Sequence, residues 1–466
     1  MKYFSPLCLF LLCFWGVFPA SLLSEEEKPG SISIKKTIEE ERLDTIRYGT
    51  ETEIVALIKT LRDEKDYYLN DELAQLMETT RNRNILSGVF SFFGEQNQTG
   101  LEERAIRVIN ERDYEANETV LAAVNYLGTV KSPDGAGSLK TLINEGESRF
   151  MGAAFRALGQ IGGALTKTDR EAGDGVADYL IHYYLNRSPP DENRRDIIIS
   201  LGETGSFEGV SFLAELAANE EERAVLRMAA LEALAKIGDI RGLDAILAAV
   251  SSEDPNVRST AVSALGPFSG KQVENTILES FRDSYYRTRI GAAQAARERK
   301  LTEAVPYLRY RAERDEVPAV KDEAIRALGA IANQEAVAAL DSLFEERKNP
   351  DRVRILAAEM LIQSNADIYV SRTITALDEA KGSNQSSLYN GLLRVLGEAK
   401  AAALEDLARR FFAAGGVIEK SYALDITAHN QFHNLAGEVR SLINSKTGNL
   451  SQKALATLKK MGLDDE

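Results

Sequence analysis

Cysteine, tryptophan and histidine are nearly missing from this 466-residue chain, which has two, one and three of them. Cys8, Cys13 and Trp15 all fall within the first 20 residues, so the remainder holds neither cysteine nor tryptophan. That excludes disulfides, thiolate nucleophiles and cysteine-held metals from everything after the opening segment. No serine nucleophile elbow, phosphate-cradling loop or paired-cysteine motif is present. Past the N-terminal segment no run is apolar enough to span a bilayer. Positive charge is also in deficit: 56 lysines and arginines face 71 aspartates and glutamates, a net charge of -15. Such a surface repels nucleic acid and anionic lipid, which leaves proteins as the expected partners.

What the chain does have is rhythm. An alanine four residues before a leucine, the leucine often followed by glycine, returns about every 31 to 35 residues: AAFRALGQIG, MAALEALAKIG, TAVSALG, DEAIRALGAIA, ALATLKKMG. In one frame the apolar anchors are Leu61, Phe93, Leu127, Leu158, Leu201, Leu234, Leu265, Ala296, Leu328, Leu361, Leu396, Thr427 and Leu458. All steps lie between 31 and 35 residues except the 43 from Leu158 to Leu201. Such self-similarity marks stacked units, each burying its apolar face against its neighbours. A second amphipathic stretch precedes each anchor segment, as IRGLDAILAAV precedes VRSTAVSALG. Each unit is therefore predicted to be a helical hairpin, giving an all-α superhelix of about thirteen pairs, on the order of 100 Å long at ~10 Å per layer. Gly162, Gly205, Gly238 and Gly462 are expected to end helices in the left-handed conformation, and Pro255 and Pro350 to start them.

Nine frames keep the alanine at position −4: Ala123, Ala154, Ala230, Ala261, Ala292, Ala324, Ala357, Ala423 and Ala454. One helical turn before the anchor, a small side chain there lets two helices approach closely. At position −7 a cation is frequent (Arg194, Arg227, Arg258, Arg289, Lys321, Arg354). On the same face as the anchor, these cations are expected to run along the seam between repeats and cap or pair with neighbouring helix ends.

Segments such as EDPNVRSTAVSALG and VKDEAIRALGAIA resemble HEAT repeats, especially the short bacterial type similar to phycobilin-lyase-like proteins, over roughly residues 37 to 462. The resemblance implies a right-handed α-α superhelix presenting an extended groove to protein partners. It implies no activity, since the matching positions are framework positions.

Residues 1–20 read as a secretory signal peptide, with Lys2, an apolar core from Leu7 to Phe18, and small residues at Ala20 and Ser21. An uncleaved N-terminal anchor is the alternative, because Tyr3 to Leu23 is long enough to span. Export, to the periplasm or another extracytoplasmic space, is the expectation. Residues 21–36 form an expected flexible acidic lead-in, and 37–466 the HEAT-repeat solenoid. The extra residues of the long step are assigned to a loop, ALTKTDREAGDG, at 164–175.

Two clusters are candidates for function. In SYYRTR, Tyr285, Tyr286, Arg287 and Arg289 form the preferred partner-binding patch, since tyrosine and arginine are enriched in interface hot spots. Paired tyrosines also occur at Tyr67–Tyr68 and Tyr183–Tyr184; adjacent helical residues cannot share one face, so one of each pair is expected to be exposed or held in a seam. In DITAHNQFH, Asp425, His429 and His433 have i, i+4, i+8 spacing that would suit a metal on one helix, but the frame ends the helix near His429–Gln431 and starts the next near His433. No metal or cofactor is therefore assigned. The reading is a non-catalytic extracytoplasmic scaffold or adaptor; the alternative is an enzyme, or an enzyme accessory, binding a small ligand in the groove.

Overall fold

The computed structural model describes residues 29–445 and 447–463, with side chains from residue 38. The expected signal peptide, its cleavage region and the alternative anchor lie outside the described residues. Twenty-six α-helices, numbered α1–α26 in chain order, form thirteen antiparallel hairpins, with no strand among the described residues. Odd-numbered helices are the first of each pair and even-numbered ones the second. The second helices are α2 (Glu51–Glu64), α4 (Arg83–Gln96), α6 (Asn117–Thr129), α8 (Ser148–Thr168), α10 (Asp191–Thr204), α12 (Ala224–Ile237) and α14 (Pro255–Ala264). They continue as α16 (Tyr286–Arg299), α18 (Pro318–Ile331), α20 (Asp351–Ser364), α22 (Ser386–Glu398), α24 (Val417–Asn430) and α26 (Gly448–Lys460).

All thirteen anchors are buried, including Thr427, and each lies in a second helix except Leu265, which caps α14. The nine −4 alanines are all 0% exposed. Consecutive even helices touch along the whole array, whereas consecutive odd helices meet closely only at some junctions. The even layer is thus the more tightly spaced, and the stack curves with that layer inside.

Glycine has two separate jobs here. Gly205, Gly238 and Gly462 end helices with positive φ, as expected. Lys65, Asn97, Lys300, Ala332 and Gln431 take the same left-handed conformation without glycine, so a repeat can dispense with it. The glycine directly after the anchor acts instead in packing. A Cβ on Gly159 would lie 2.8 Å from Ser200 Cα, and one on Gly202 2.9 Å from Ala233 Cα. The backbone of one inner helix sits in the space that the missing side chain of its neighbour leaves. Gly162 belongs to this class too: it lies inside α8, against Val176 and Thr204, and ends nothing.

Two expected boundaries shift. Residues 164–175 form no loop: the additional residues lengthen α8 and α9 (Arg170–Arg187), separated only by Asp169, whose carboxylate accepts from Ala172 N and caps α9. At the N-terminus α1 (Pro29–Tyr48) already starts at Pro29, where a first-turn proline loses no helical hydrogen bond, so residues 29–36 are helix rather than lead-in.

Replacing Gly159 by alanine adds a better helix former yet is expected to destabilise the protein by about 1–3 kcal/mol, because the new methyl meets the α10 backbone. Gly175→Ala, at an exposed α9 position with open space, should instead stabilise by about 0.5–1 kcal/mol. Thermal melts followed by circular dichroism check both; equal shifts for the two variants would contradict the packing role.

Candidate protein-binding groove

The inner face is built by the residues of the even helices that the anchors and alanines leave pointing outwards. Position −2 recurs on it: Arg156, Glu232, Ser263, Gln294, Arg326, Glu359 and Arg394. Sequence reading missed this register, although the repeat frame that fixed −4 and −7 also marks it. Two open depressions indent the face, each spanning three consecutive inner helices. One, about 450 Å³, lies over α12, α14 and α16, with Glu232, Ser259, Ser263, Arg287, Ile290 and Gln294 among its lining. The other, about 470 Å³, lies over α18, α20 and α22, with Asp322, Arg326, Arg352, Ile355, Glu359 and Arg394.

Charge divides between the layers. The odd helices carry 18 lysines and arginines against 27 aspartates and glutamates, the even helices 24 against 19. Six of those 24 are the −7 cations, so the inner face proper is close to neutral in a chain at -15. Ion pairs bridge neighbouring inner helices: Arg156–Asp196 at 3.1 Å, Arg297–Glu323 at 3.1 Å, Arg394–Glu359 at 3.5 Å, with Lys236–Glu203 and Arg352–Asp322 closer still. In each the cation is the more exposed partner; Arg352 is 66% exposed and Asp322 beneath it 6%. The groove therefore presents guanidinium edges over shielded carboxylates. Burial pushes the Asp196 carboxyl up, and Arg156 offsets only part of that.

The −7 cations form a second ladder, at the seam. Arg227 Nε donates to Ala217 O at 3.1 Å, Lys321 Nζ to Glu313 O at 2.9 Å and Arg354 Nε to Phe344 O at 2.9 Å, each capping the carbonyl end of its own first helix. Arg258 and Arg289 donate instead to loop carbonyls just past their first helices, Arg258 Nη1 to Ser252 O at 2.9 Å and Arg289 Nη1 to Asp283 O at 3.0 Å, and also reach the next turn. Arg258 Nε donates to Asp283 at 2.9 Å, and Arg289 holds Asp315 through Nε at 2.7 Å and Nη2 at 2.8 Å. The expected cap-and-pair arrangement is present, and it engages one residue of SYYRTR. Arg289 is a seam residue gripping a carboxylate with 0% exposure, so it is not free to meet a partner. Tyr285 Oη donates to Asn256 at 2.9 Å and is half-buried. Tyr286 packs on Tyr285 with ring centroids 5.4 Å apart. Of the four residues only Arg287 lines the groove.

The sequence model of one family, described as spirochaete HEAT repeat protein, matches residues 46–457. The chain belongs to that family. Among solved structures, yeast importin-beta (Kap95p) is similar over 93% of this chain and 67% of its own, at 14% identity and TM-score 0.50. Kap121p bound to the extreme C-terminus of the protein phosphatase Cdc14p is similar over 90% of this chain, which spans about half of Kap121p (53%), at 13% identity and TM-score 0.43. At such identities the likeness is one of fold. No curated protein matches the sequence.

Asp425, His429 and His433 do not converge. His429 lies in the last turn of α24 with Nδ1 2.8 Å from Gly397 O, Asp425 pairs with Lys453 at 2.6 Å, and His433 starts a separate 3-10 turn after Gln431. The frame's helix ending holds. Tyr183 and Tyr184 are both buried, Tyr183 edge-on to Phe155 and Tyr184 to Phe212 of the following repeat, since a first helix is flanked by repeats on two sides. Tyr67 and Tyr68 are both exposed at one edge. No helix among the described residues is long and apolar enough to cross a membrane.

Burial pushes the Asp315 carboxyl up, but the Arg289 hydrogen bonds and the Val317 N–H outweigh it and hold it below the ordinary value of 3.8; Asp283 behaves alike beside Arg258. A folded-state value below the unfolded one stabilises the fold above pH 3.8, and that stabilisation disappears as pH falls through the depressed values. Asp283→Asn/Asp315→Asn should therefore melt well below wild type at about pH 6, the gap closing as pH falls below 3.8. A gap independent of pH would contradict the ladder's role. Arg289→Ala, which leaves the buried Asp315 only the Val317 N–H and the longer Arg311 contact at 3.4 Å, should cost about 3 kcal/mol at neutral pH.

Proposed function

We propose that this protein is a non-catalytic, extracytoplasmic scaffold or adaptor that holds a partner protein along its inner groove. The observation that carries the reading is the continuous inner face, whose depressions are open and each shared by three consecutive repeats. That shape suits an extended polypeptide better than a small substrate, which favours enclosure and converging polar groups. Several of the groove's ionisable groups are paired with one another across repeats, as structural members are. Family membership supports the same reading, because solenoids of this kind work by presenting extended concave surfaces. The signal-like first 20 residues and the cysteine-free remainder support export.

Photo-crosslinking in cells tests this, with a benzophenone amino acid placed at Glu232 or Gln294 in the groove and at Glu335 on the outer layer. A recurring protein adduct from both groove positions and none from Glu335 is the expected result. Adducts confined to Glu335, or none at the groove positions, would sink the reading.

A further inference from the structure

The depression over α18, α20 and α22 gathers three guanidiniums, two of them loosely held. Arg326, Arg352 and Arg394 surround it, against Asp322 and Glu359. Arg326 meets Glu323 only at 3.6 Å, and Arg394 is split between Glu359 at 3.5 Å and Glu398 at 3.7 Å. These separations lie beyond charge-assisted hydrogen bonding, so both guanidiniums keep donors for another acceptor. Arg352 grips Asp322, a buried carboxylate whose Oδ1 has no hydrogen-bond partner. The electrostatic demand of Asp322 thus fixes Arg352 over the depression while two-thirds of its side chain faces solvent. Ser387, in the first turn of α22, adds the positive end of a 13-residue helix to one wall, and Ile355 and Leu356 supply a half-buried apolar floor.

From this we infer that the depression is a carboxylate-reading subsite, and that its occupant is an acidic, extended segment of the partner protein. The inference rests on the groove reading above and names the partner's chemistry. Charge complementarity supports it: three exposed guanidiniums gather at one place in a chain that is otherwise acidic. At ~10 Å between adjacent helices and ~3.3 Å per extended residue, about six residues cross from α18 to α22. Two or three acidic side chains in that stretch would meet Arg326, Arg352 and Arg394, with an aliphatic side chain between them on Ile355.

Fluorescence anisotropy of the purified full chain tests this with two labelled ten-residue probes, glutamate alternating with serine and glycine, and the same peptide with lysine for glutamate. Saturable binding of the glutamate peptide alone is expected, weakening as sodium chloride rises, with about a tenfold loss for Arg352→Ala or Arg394→Ala. Arg309→Ala on the outer layer should change nothing. Ser387→Glu, at an exposed position outside these ion pairs, should block binding without lowering the melting temperature, which covers the case in which an arginine variant fails to fold. Equal binding of the lysine peptide, absence of saturable glutamate-peptide binding, or unaltered binding by Ser387→Glu overturns the inference. A groove crosslink at Gln294 that persists while the glutamate peptide fails removes this subsite alone; loss of both removes the groove reading with it.

Discussion

Close approach of consecutive inner helices is the constraint from which the rest follows. It is set by two small positions per repeat, the alanine one turn before the anchor and, in many repeats, the glycine just after it. Where a Cβ on Gly159 or Gly202 would collide with the next helix's backbone, the neighbour has come as near as two helices can. That nearness on one side, against sparser contact between first helices on the other, bends the stack and makes an inner face. An array of this kind has no central core to absorb an error, so each junction must be satisfied by its own residues.

Electrostatics then fixes register. Seam cations cap the ends of first helices and, through Asp283 and Asp315, clamp the following turn; the inner pairs tie each second helix to its neighbour. Ion pairs of this sort contribute little where both partners are solvated, and more where one partner is buried. Their shared consequence is that acids are drawn inward and arginines stand outward. An acidic chain thereby acquires a groove that is not acidic.

Much of this was legible in the sequence because a repeat prints the same physics thirteen times. Anchors, alanines and seam cations were readable as offsets from one frame, and even the degenerate Thr427 fell where its buried place required. The misreadings have physical causes. Glycine after the anchor looks the same whether it ends a helix or admits a neighbour, and only the contact of Gly162 with Val176 and Thr204 separates the two. Residues 164–175 are polar enough for a loop, yet Asp169 can cap a new helix at once, so the insertion became helical length. Within SYYRTR, Arg289 serves the seam, a role its −7 position already announced. Arg352 and Asp322 were invisible as partners since nothing local joins residues 30 apart; a repeat-length offset was the signal to look for.

The central claim is that the inner, even-numbered layer is the working surface. Hydrogen–deuterium exchange of the protein with and without its crosslinked partner, read by mass spectrometry, tests this most directly. The account predicts added protection concentrated in α12 to α22 on even-numbered helices, with the odd-numbered helices unchanged. Protection concentrated on the odd-numbered helices would contradict it.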